Sequence, residues 1–476
     1  MKSHLNRPCR SIARTRETAL PKTHFAAILL FILSAVLLNL VFPASARPEA
    51  GKILLSDDTF TVANGGWESY YLLQEHRPEF FVAEESGCGG TGSLGLYGAS
   101  NTAVRGCWRK MVEGITPGAF YRFEARRKTT GGRGLPLEAF ARLEWQNAKG
   151  EMIAHTKYYP AEAAAEGDWK ILSGTYQTPE NTAKVRLELY LSHSPQGRVL
   201  WDGISLAQVP APPQRKVRLA TVNCRPGGNT SSAQSVEEFC KLVDEAGQAG
   251  CDIICLGEGI NLVGVSQPDG RASEYHNIAE PIPGPTTTRL GEVARKYKMY
   301  IVAALGEREN QAVYNTAVLI GREGELKGKY RKVQVPDGEL DQGCTPGNSW
   351  PVFDTDFGRI GMLICWDSWF VDPARALALK GAEIILMPIW GGDPTLITAR
   401  AIENHVYLVS CGYDVASAIY DPWGRIIAQP EKKPGIAYAD IDLNYPPSCP
   451  WSWAMEDLRA VLLHATRYDL QPEAPR

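Results

Sequence analysis

The chain has 476 residues, enough for two or three domains with cores of their own. Hydrophobic residues at 44% and charged residues at 22% exclude wholesale disorder. Fifty basic against 53 acidic side chains leave a net charge of −3, without the basic excess of a nucleic-acid binder, and 11 cysteines are too few for a disulfide scaffold.

In chain order, Lys2, Arg7, Arg10, Arg14, Arg16 and Lys22 stand first, against one acid, Glu17. The run from Phe25 to Phe42 is apolar except for Ser34 and Asn39, and Ala44-Ser45-Ala46 follows it. A basic start, an apolar stretch and a small-x-small site predict a signal peptide or membrane anchor over residues 1–46. The run is long for a signal core and close to the minimum for a membrane span, so both readings stand. Either way the remainder is expected to be exported, because the basic flank stays inside.

Residues 48–208 alternate apolar and polar side chains. Val185, Leu187, Leu189 and Leu191 alternate with Arg186, Glu188 and Tyr190, and Tyr121, Phe123 and Ala125 follow the same period. Turn signals at Gly114, Pro117-Gly118, Gly131-Gly132 and Pro179 separate such runs. The pattern predicts an antiparallel β-sandwich. Cys88 and Cys107 fall inside it and form a candidate disulfide in an exported chain. Trp67, Tyr70, Tyr71, Trp108 and Trp145 are either core or platforms for sugar rings.

Residues 209–215, Val-Pro-Ala-Pro-Pro-Gln-Arg, read as a stiff linker, because three prolines in four positions continue neither a helix nor a central strand. Beyond it the period changes, and residues 216–476 are expected to form an α/β domain. Strand-like runs at Val217–Cys224, Asp252–Leu256, Tyr300–Leu305, Thr316–Ile320, Ile360–Cys365, Ile384–Pro388 and Val406–Ser410 mix with helical patterns. Those helical patterns lie at Ala233–Ala249, Thr287–Tyr297, Pro373–Lys380 and Pro394–Asn404.

Three of these strand ends carry chemistry. Cys365 follows an apolar strand and precedes a helix, an elbow that exposes a side chain and aims backbone N–H groups at it. Glu258 ends the run Asp252-Ile-Ile-Cys-Leu-Gly-Glu, and Lys332 lies in Tyr330-Arg-Lys-Val. Taken singly, Cys365 reads first as a buried structural thiol, and Glu258 and Lys332 as solvated or salt-bridged charges. Together they divide the work of acyl transfer: a carboxylate takes the thiol proton, and an ammonium holds an oxyanion. No metal site is expected, because Cys251 and Cys255 lack an adjacent histidine or second cysteine pair and no His-x-x-x-His occurs.

At these residues the sequence resembles the nitrilase superfamily of carbon–nitrogen hydrolases. Leu256-Gly257-Glu258, Gly328-Lys-Tyr-Arg-Lys332-Val and Gly361-Met-Leu-Ile-Cys365-Trp-Asp-Ser-Trp-Phe370 match its glutamate, lysine and cysteine motifs in order and spacing. Tyr314-Asn-Thr-Ala, Lys380-Gly-Ala-Glu and Ala399-Arg-Ala-Ile-Glu-Asn add support, and the likeness covers about residues 216–445. The resemblance implies a four-layer α-β-β-α sandwich, no cofactor, and a homodimer or larger homo-oligomer. It assigns Cys365 as nucleophile and Glu258 as base, and gives the oxyanion to Lys332 and the Trp366 N–H. It also asks for a second glutamate after the lysine, for which Glu339 is the candidate, with a plain surface turn as the alternative. Gly257 stands where proline is usual before the glutamate, and Val371-Asp372 where Pro-Glu is usual.

The stretch Ile364–Phe370, with Asp367 two residues after the cysteine, looks most like the N-carbamoylputrescine amidase branch. The expected substrate is therefore a small linear amide or N-carbamoyl amine, with a nitrile as the alternative. A catalytically inactive surface carbohydrate-binding protein is the rival from another class. The front segment resembles galactose-binding-like carbohydrate-binding modules of jelly-roll type, at Gly174–Pro179 and Val199–Leu206, so carbohydrate is a second candidate partner.

Overall fold

The structure is a computed structural model that describes residues 52–444 apart from 58–59, 61–63, 85, 89–91 and 133–137. The signal or anchor expected over residues 1–46 lies outside the described residues. Among those described, no helix is long and apolar enough to cross a membrane.

The front part is built from β1 (Ile53–Asp57), β2 (Glu68–Tyr71), β3 (Glu79–Ala83), β4 (Ser93–Tyr97), β5 (Arg105–Glu113) and β6 (Phe120–Thr130). It continues with β7 (Ala139–Gln146), β8 (Met152–Tyr158), β9 (Ala161–Glu166), β10 (Trp169–Gln177), β11 (Lys184–Ser192) and β12 (Arg198–Val209). One sheet runs β3-β4-β12-β6-β10-β9 with β1 also on β12, and the other runs β2-β5-β11-β7-β8. Neighbouring strands in both are antiparallel. The alternation in β11 is the cause: Val185, Leu187, Leu189 and Leu191 all point into the core between the sheets. Burying each such side chain contributes about 1.5–3 kcal/mol.

One expectation for this part is corrected. Cys88 and Cys107 are both free. Cys107 points away from the main core into a small cluster with Phe140 and Tyr190 on the β2-β5-β11-β7-β8 sheet. Cys88 sits in a loop and its backbone N–H donates to Asp202 on β12, in the other sheet, whereas Cys107 lies on β5. Of the aromatic residues considered as sugar platforms, Trp67, Trp108 and Trp145 are core. Only Tyr70 and Tyr71 stay half-exposed, and the Arg109 guanidinium lies 3.3 Å from the Tyr70 ring centre.

After the linker come β13 (Lys216–Asn223), α1 (Ser232–Gln248), β14 (Ile253–Cys255), α2 (Tyr275–Ile278), α3 (Pro285–Tyr297), β15 (Tyr300–Glu309), β16 (Ala312–Ile320) and β17 (Leu326–Arg331). The next elements are α4 (Asp337–Asp341), β18 (Val352–Asp354), β19 (Arg359–Met362), α5 (Val371–Leu379), β20 (Ile384–Pro388) and α6 (Pro394–Asn404). The last are β21 (Tyr407–Cys411), β22 (Ala418–Tyr420), β23 (Ile426–Ala428) and β24 (Gly435–Asp442). They form two six-stranded sheets, β17-β16-β15-β14-β13-β24 and β18-β19-β20-β21-β22-β23. Within them β13-β14-β15 and β19-β20-β21 are parallel, which explains their unbroken apolar runs: both faces are covered.

The two sheets pack on each other through β13–β15 and β20–β22, and the Thr221 hydroxyl crosses between them to the Ser410 carbonyl at 2.6 Å. Helices α1 and α3 cover the first sheet with Val236, Phe239, Val243, Leu290 and Val293, while α5 and α6 cover the second with Ala374, Leu377, Ile397 and Ala401. The layers are thus helix, sheet, sheet, helix. Helix α1 starts on Ser231, whose side chain caps the Gln234 N–H, and α6 starts on Asp393, which caps Thr395. The last linker residue, Arg215, pairs with Glu383 and donates to Asn444 at 2.7 Å.

Candidate active site

Glu258 lies three residues beyond β14, Lys332 one beyond β17 and Cys365 three beyond β19. Strand ends are where crevices form in α/β sheets. Lys332 continues the β16–β17 ladder by one further bond, its N–H donating to the Asn315 carbonyl at 2.9 Å. That bond sends its side chain inward, where it is fully buried.

Burial of an ammonium demands partners. Lys332 Nζ donates to Glu258 Oε1 at 2.9 Å and to Glu339 Oε1. The Asn315 amide bridges the same two carboxylates, 2.8 Å from Glu258 Oε1 and 3.0 Å from Glu339 Oε2. Glu258 is 2% exposed, and among the described residues its Oε2 has no hydrogen-bond partner. One oxygen of this carboxylate is therefore held fast and the other is open to a proton. Burial alone would lower the Lys332 pKa, but the charges of Glu258 and Glu339 win and raise it. Glu339 is raised by burial and by the charge of Glu258.

Cys365 begins a single 3₁₀ turn, Cys365–Trp369, and its φ of +44° is strained for a side-chain-bearing residue. The expected strand over Ile360–Cys365 stops at Met362, because the chain must leave the sheet to make this turn. Its thiol donates to the Gly391 carbonyl at 3.5 Å. Burial, then the charge of Glu258, pushes the thiol pKa up to about 12, with Lys332 opposing. At neutral pH the group is a thiol, so nucleophilic attack needs a base. The Trp366 ring is partly exposed and lies tilted against that of Trp369, with ring centres 5.3 Å apart.

Asp367, two residues past the cysteine, lies in the stretch that suggests the substrate class, yet its carboxylate is fully buried. It accepts from Tyr330 Oη at 2.7 Å, the Ile364 N–H at 2.9 Å and the Gln334 N–H at 3.1 Å. It thereby ties the cysteine turn to the lysine loop. Burial raises its pKa to about 6 against these bonds, which lower it.

All five site residues drawn from the sequence have a place here: Glu258, Lys332 and Glu339 are directly bonded, and Cys365 and Trp366 share the turn beside them. Asn315 enters the sequence reading only as part of the supporting motif Tyr314-Asn-Thr-Ala and is not singled out there as a site residue, although a lone amide inside the apolar run of β16 is a visible signal. His405 is structural: it closes α6 at φ +51°, with its ring 4.3 Å from that of Trp423. Among the described residues no group of three or more His, Cys, Asp or Glu is placed to hold a metal.

The profile of the family described as Carbon-nitrogen hydrolase matches residues 218–448. The Homo sapiens protein named Omega-amidase NIT2 is 30% identical over 241 residues, covering 44% of this chain and 84% of that protein. The Pyrococcus abyssi protein named Nitrilase is 34% identical over 218 residues, covering 43% of this chain and 81% of that protein. A crystal structure of an amidase from Nesterenkonia sp. aligns with a TM-score of 0.42 at 22% identity, over 48% of this chain and 91% of that one. The chain belongs to the carbon-nitrogen hydrolase family. It is a hydrolase acting on carbon–nitrogen bonds.

Proposed function

We propose that the protein is an exported amide hydrolase that works through a thioester on Cys365. The observation that carries this reading is the Glu258 carboxylate: Oε1 is fixed by Lys332 and Asn315, while Oε2 is buried and has no partner among the described residues. That oxygen is suited to take the thiol proton as Sγ attacks the carbonyl carbon. Lys332 has three N–H donors, two of them used on Glu258 and Glu339, so the third is available to the developing oxyanion, together with the Trp366 N–H. Glu258 then passes its proton to the leaving amine or ammonia. Water, deprotonated by the same carboxylate and positioned by Glu339, cleaves the thioester and frees the acid. Assembly of all these groups in one buried site also argues against a catalytically inactive binding protein.

Relatives named omega-amidases favour an amide over a nitrile, and an N-carbamoyl amine offers the same carbonyl and leaving nitrogen. The relative named Nitrilase supports the nitrile as the second reading. Ammonia release over these three substrate classes separates them.

Export rests on the basic flank, the apolar run and Ala44-Ser45-Ala46. N-terminal sequencing of the protein from its native cells is expected to read from near Arg47 in a fraction outside the cytoplasmic membrane. An intact Met1 terminus in the soluble cytoplasmic fraction contradicts it.

A further inference from the structure

We propose that Tyr413 is a positioning residue for the general base Glu258, reaching it through the space left open by the missing side chain of Gly257. The inference rests on the assignment of Glu258 as base and adds what holds that base against the nucleophile.

Glu258 lies on the chain leaving β14 in the first sheet, whereas Cys365 leaves β19 in the second. Their separation therefore depends on whatever joins the two sheets at this end. Tyr413, two residues beyond β21 in the second sheet, donates its hydroxyl to the Glu258 carbonyl at 2.8 Å. Its own N–H donates to the Trp390 carbonyl at 3.0 Å, and its ring meets the Trp390 ring edge-on at 5.1 Å. The next residue, Gly391, accepts the Cys365 thiol. A continuous path thus runs from the backbone of the base, through Tyr413 and Trp390, to the nucleophile. Arg225 closes it from outside, its guanidinium 5.6 Å from the Trp390 ring centre and 5.9 Å from that of Tyr413.

Gly257 makes the approach feasible. A Cβ there would fall closer to the Tyr413 hydroxyl, Cζ and Cε1 than real Cβ contacts come. This is the position where the resembling motif usually has proline. The departure removes the obstruction, and the hydroxyl occupies the place. Tyr413 is buried and its pKa lies well above the ordinary value, so it remains a donor throughout the working range.

The test compares Tyr413→Phe, Gly257→Ala, Tyr413→Val and the Gly257→Ala/Tyr413→Val pair in full-length protein, with Glu258→Gln as reference. Each is read by kcat, KM, melting midpoint and the rate of Cys365 alkylation by iodoacetamide at neutral pH. Tyr413→Phe is expected to lower kcat about 10- to 100-fold while KM moves less than about threefold, the signature of a displaced catalytic group. Alkylation slows in parallel. Gly257→Ala costs a similar factor when made alone but little more when added to Tyr413→Val, because the two changes break one contact. Wild-type kcat and alkylation in Tyr413→Phe, or an equal cost of Gly257→Ala in both backgrounds, overturns the proposal. If Glu258→Gln is inactive while Tyr413→Phe is normal, only the positioning role falls. If Glu258→Gln turns over normally, the base assignment falls and the positioning role with it.

Discussion

Replacing Cys365 with alanine is expected to reduce turnover by several orders of magnitude while leaving the fold intact. The substitution removes one sulfur at a half-buried position and changes no bond among Glu258, Lys332, Glu339 and Asn315. Losing a nucleophile typically costs about 10⁴- to 10⁶-fold in kcat, because what remains stabilises a charge that no longer forms. The φ of +44° at this residue disfavours any side chain but tolerates alanine about as well as cysteine, so the far-ultraviolet circular dichroism should not change. Turnover within tenfold of wild type sinks the assignment of Cys365.

Lys332→Met has the second large effect, and it falls on stability as well as on rate. The methionine keeps most of the volume but leaves Glu258 and Glu339 facing each other without their shared cation. Removing one partner of a buried ion pair costs about 3–5 kcal/mol. The variant's relief should depend on pH. In wild type the raised Lys332 value means that its contribution is complete below an unfolded lysine's pKa, about 10.4, and is lost only as pH rises beyond it. Without Lys332 the two carboxylates can avoid repulsion only by binding a proton, so the variant should gain stability relative to wild type as pH falls from 7 towards 5. Melting curves at both pH values, with ammonia release at neutral pH, measure this. A variant as stable as wild type at pH 7 would show that the buried cluster is not held by its lysine.

Much of this organisation is legible in the residues. The alternation at Val185–Leu191 places a strand and its core face directly, and the Pro-rich segment at 210–213 marks where period-2 strands give way to strands mixed with helices. The three chemical motifs lead to Glu258, Lys332 and Cys365 because each side chain projects from a strand end, a location that local sequence can specify. What escaped depends on contacts distant in sequence. Glu188 and Tyr190 alternate outward as polar side chains should, yet both are buried, because Arg109 and Arg142 fold over Glu188 and Phe140 stacks on Tyr190. Cys88 and Cys107 are a reasonable pair by count, but one lies in a loop bonded to β12 and the other on β5 of the opposite sheet, which spacing does not encode. Asp367 marks the stretch from which the substrate class is read, but its carboxylate is bonded to Tyr330 at the end of β17 and to the Gln334 N–H just beyond it, contacts that spacing does not encode. Tyr413 is 155 residues from the carbonyl it supports, and no pattern around it announces that bond.

The central claim is that this site hydrolyses an amide through Cys365. Ammonia release by purified wild-type protein and by Cys365→Ala, over linear amides, N-carbamoyl amines and the matching nitriles, tests it most directly. Expected from the wild type are ammonia and the corresponding acid from an amide, or ammonia, carbon dioxide and the free amine from an N-carbamoyl amine, and none of these products from Cys365→Ala. Conversion of nitriles with amides left untouched, or undiminished release by Cys365→Ala, contradicts it.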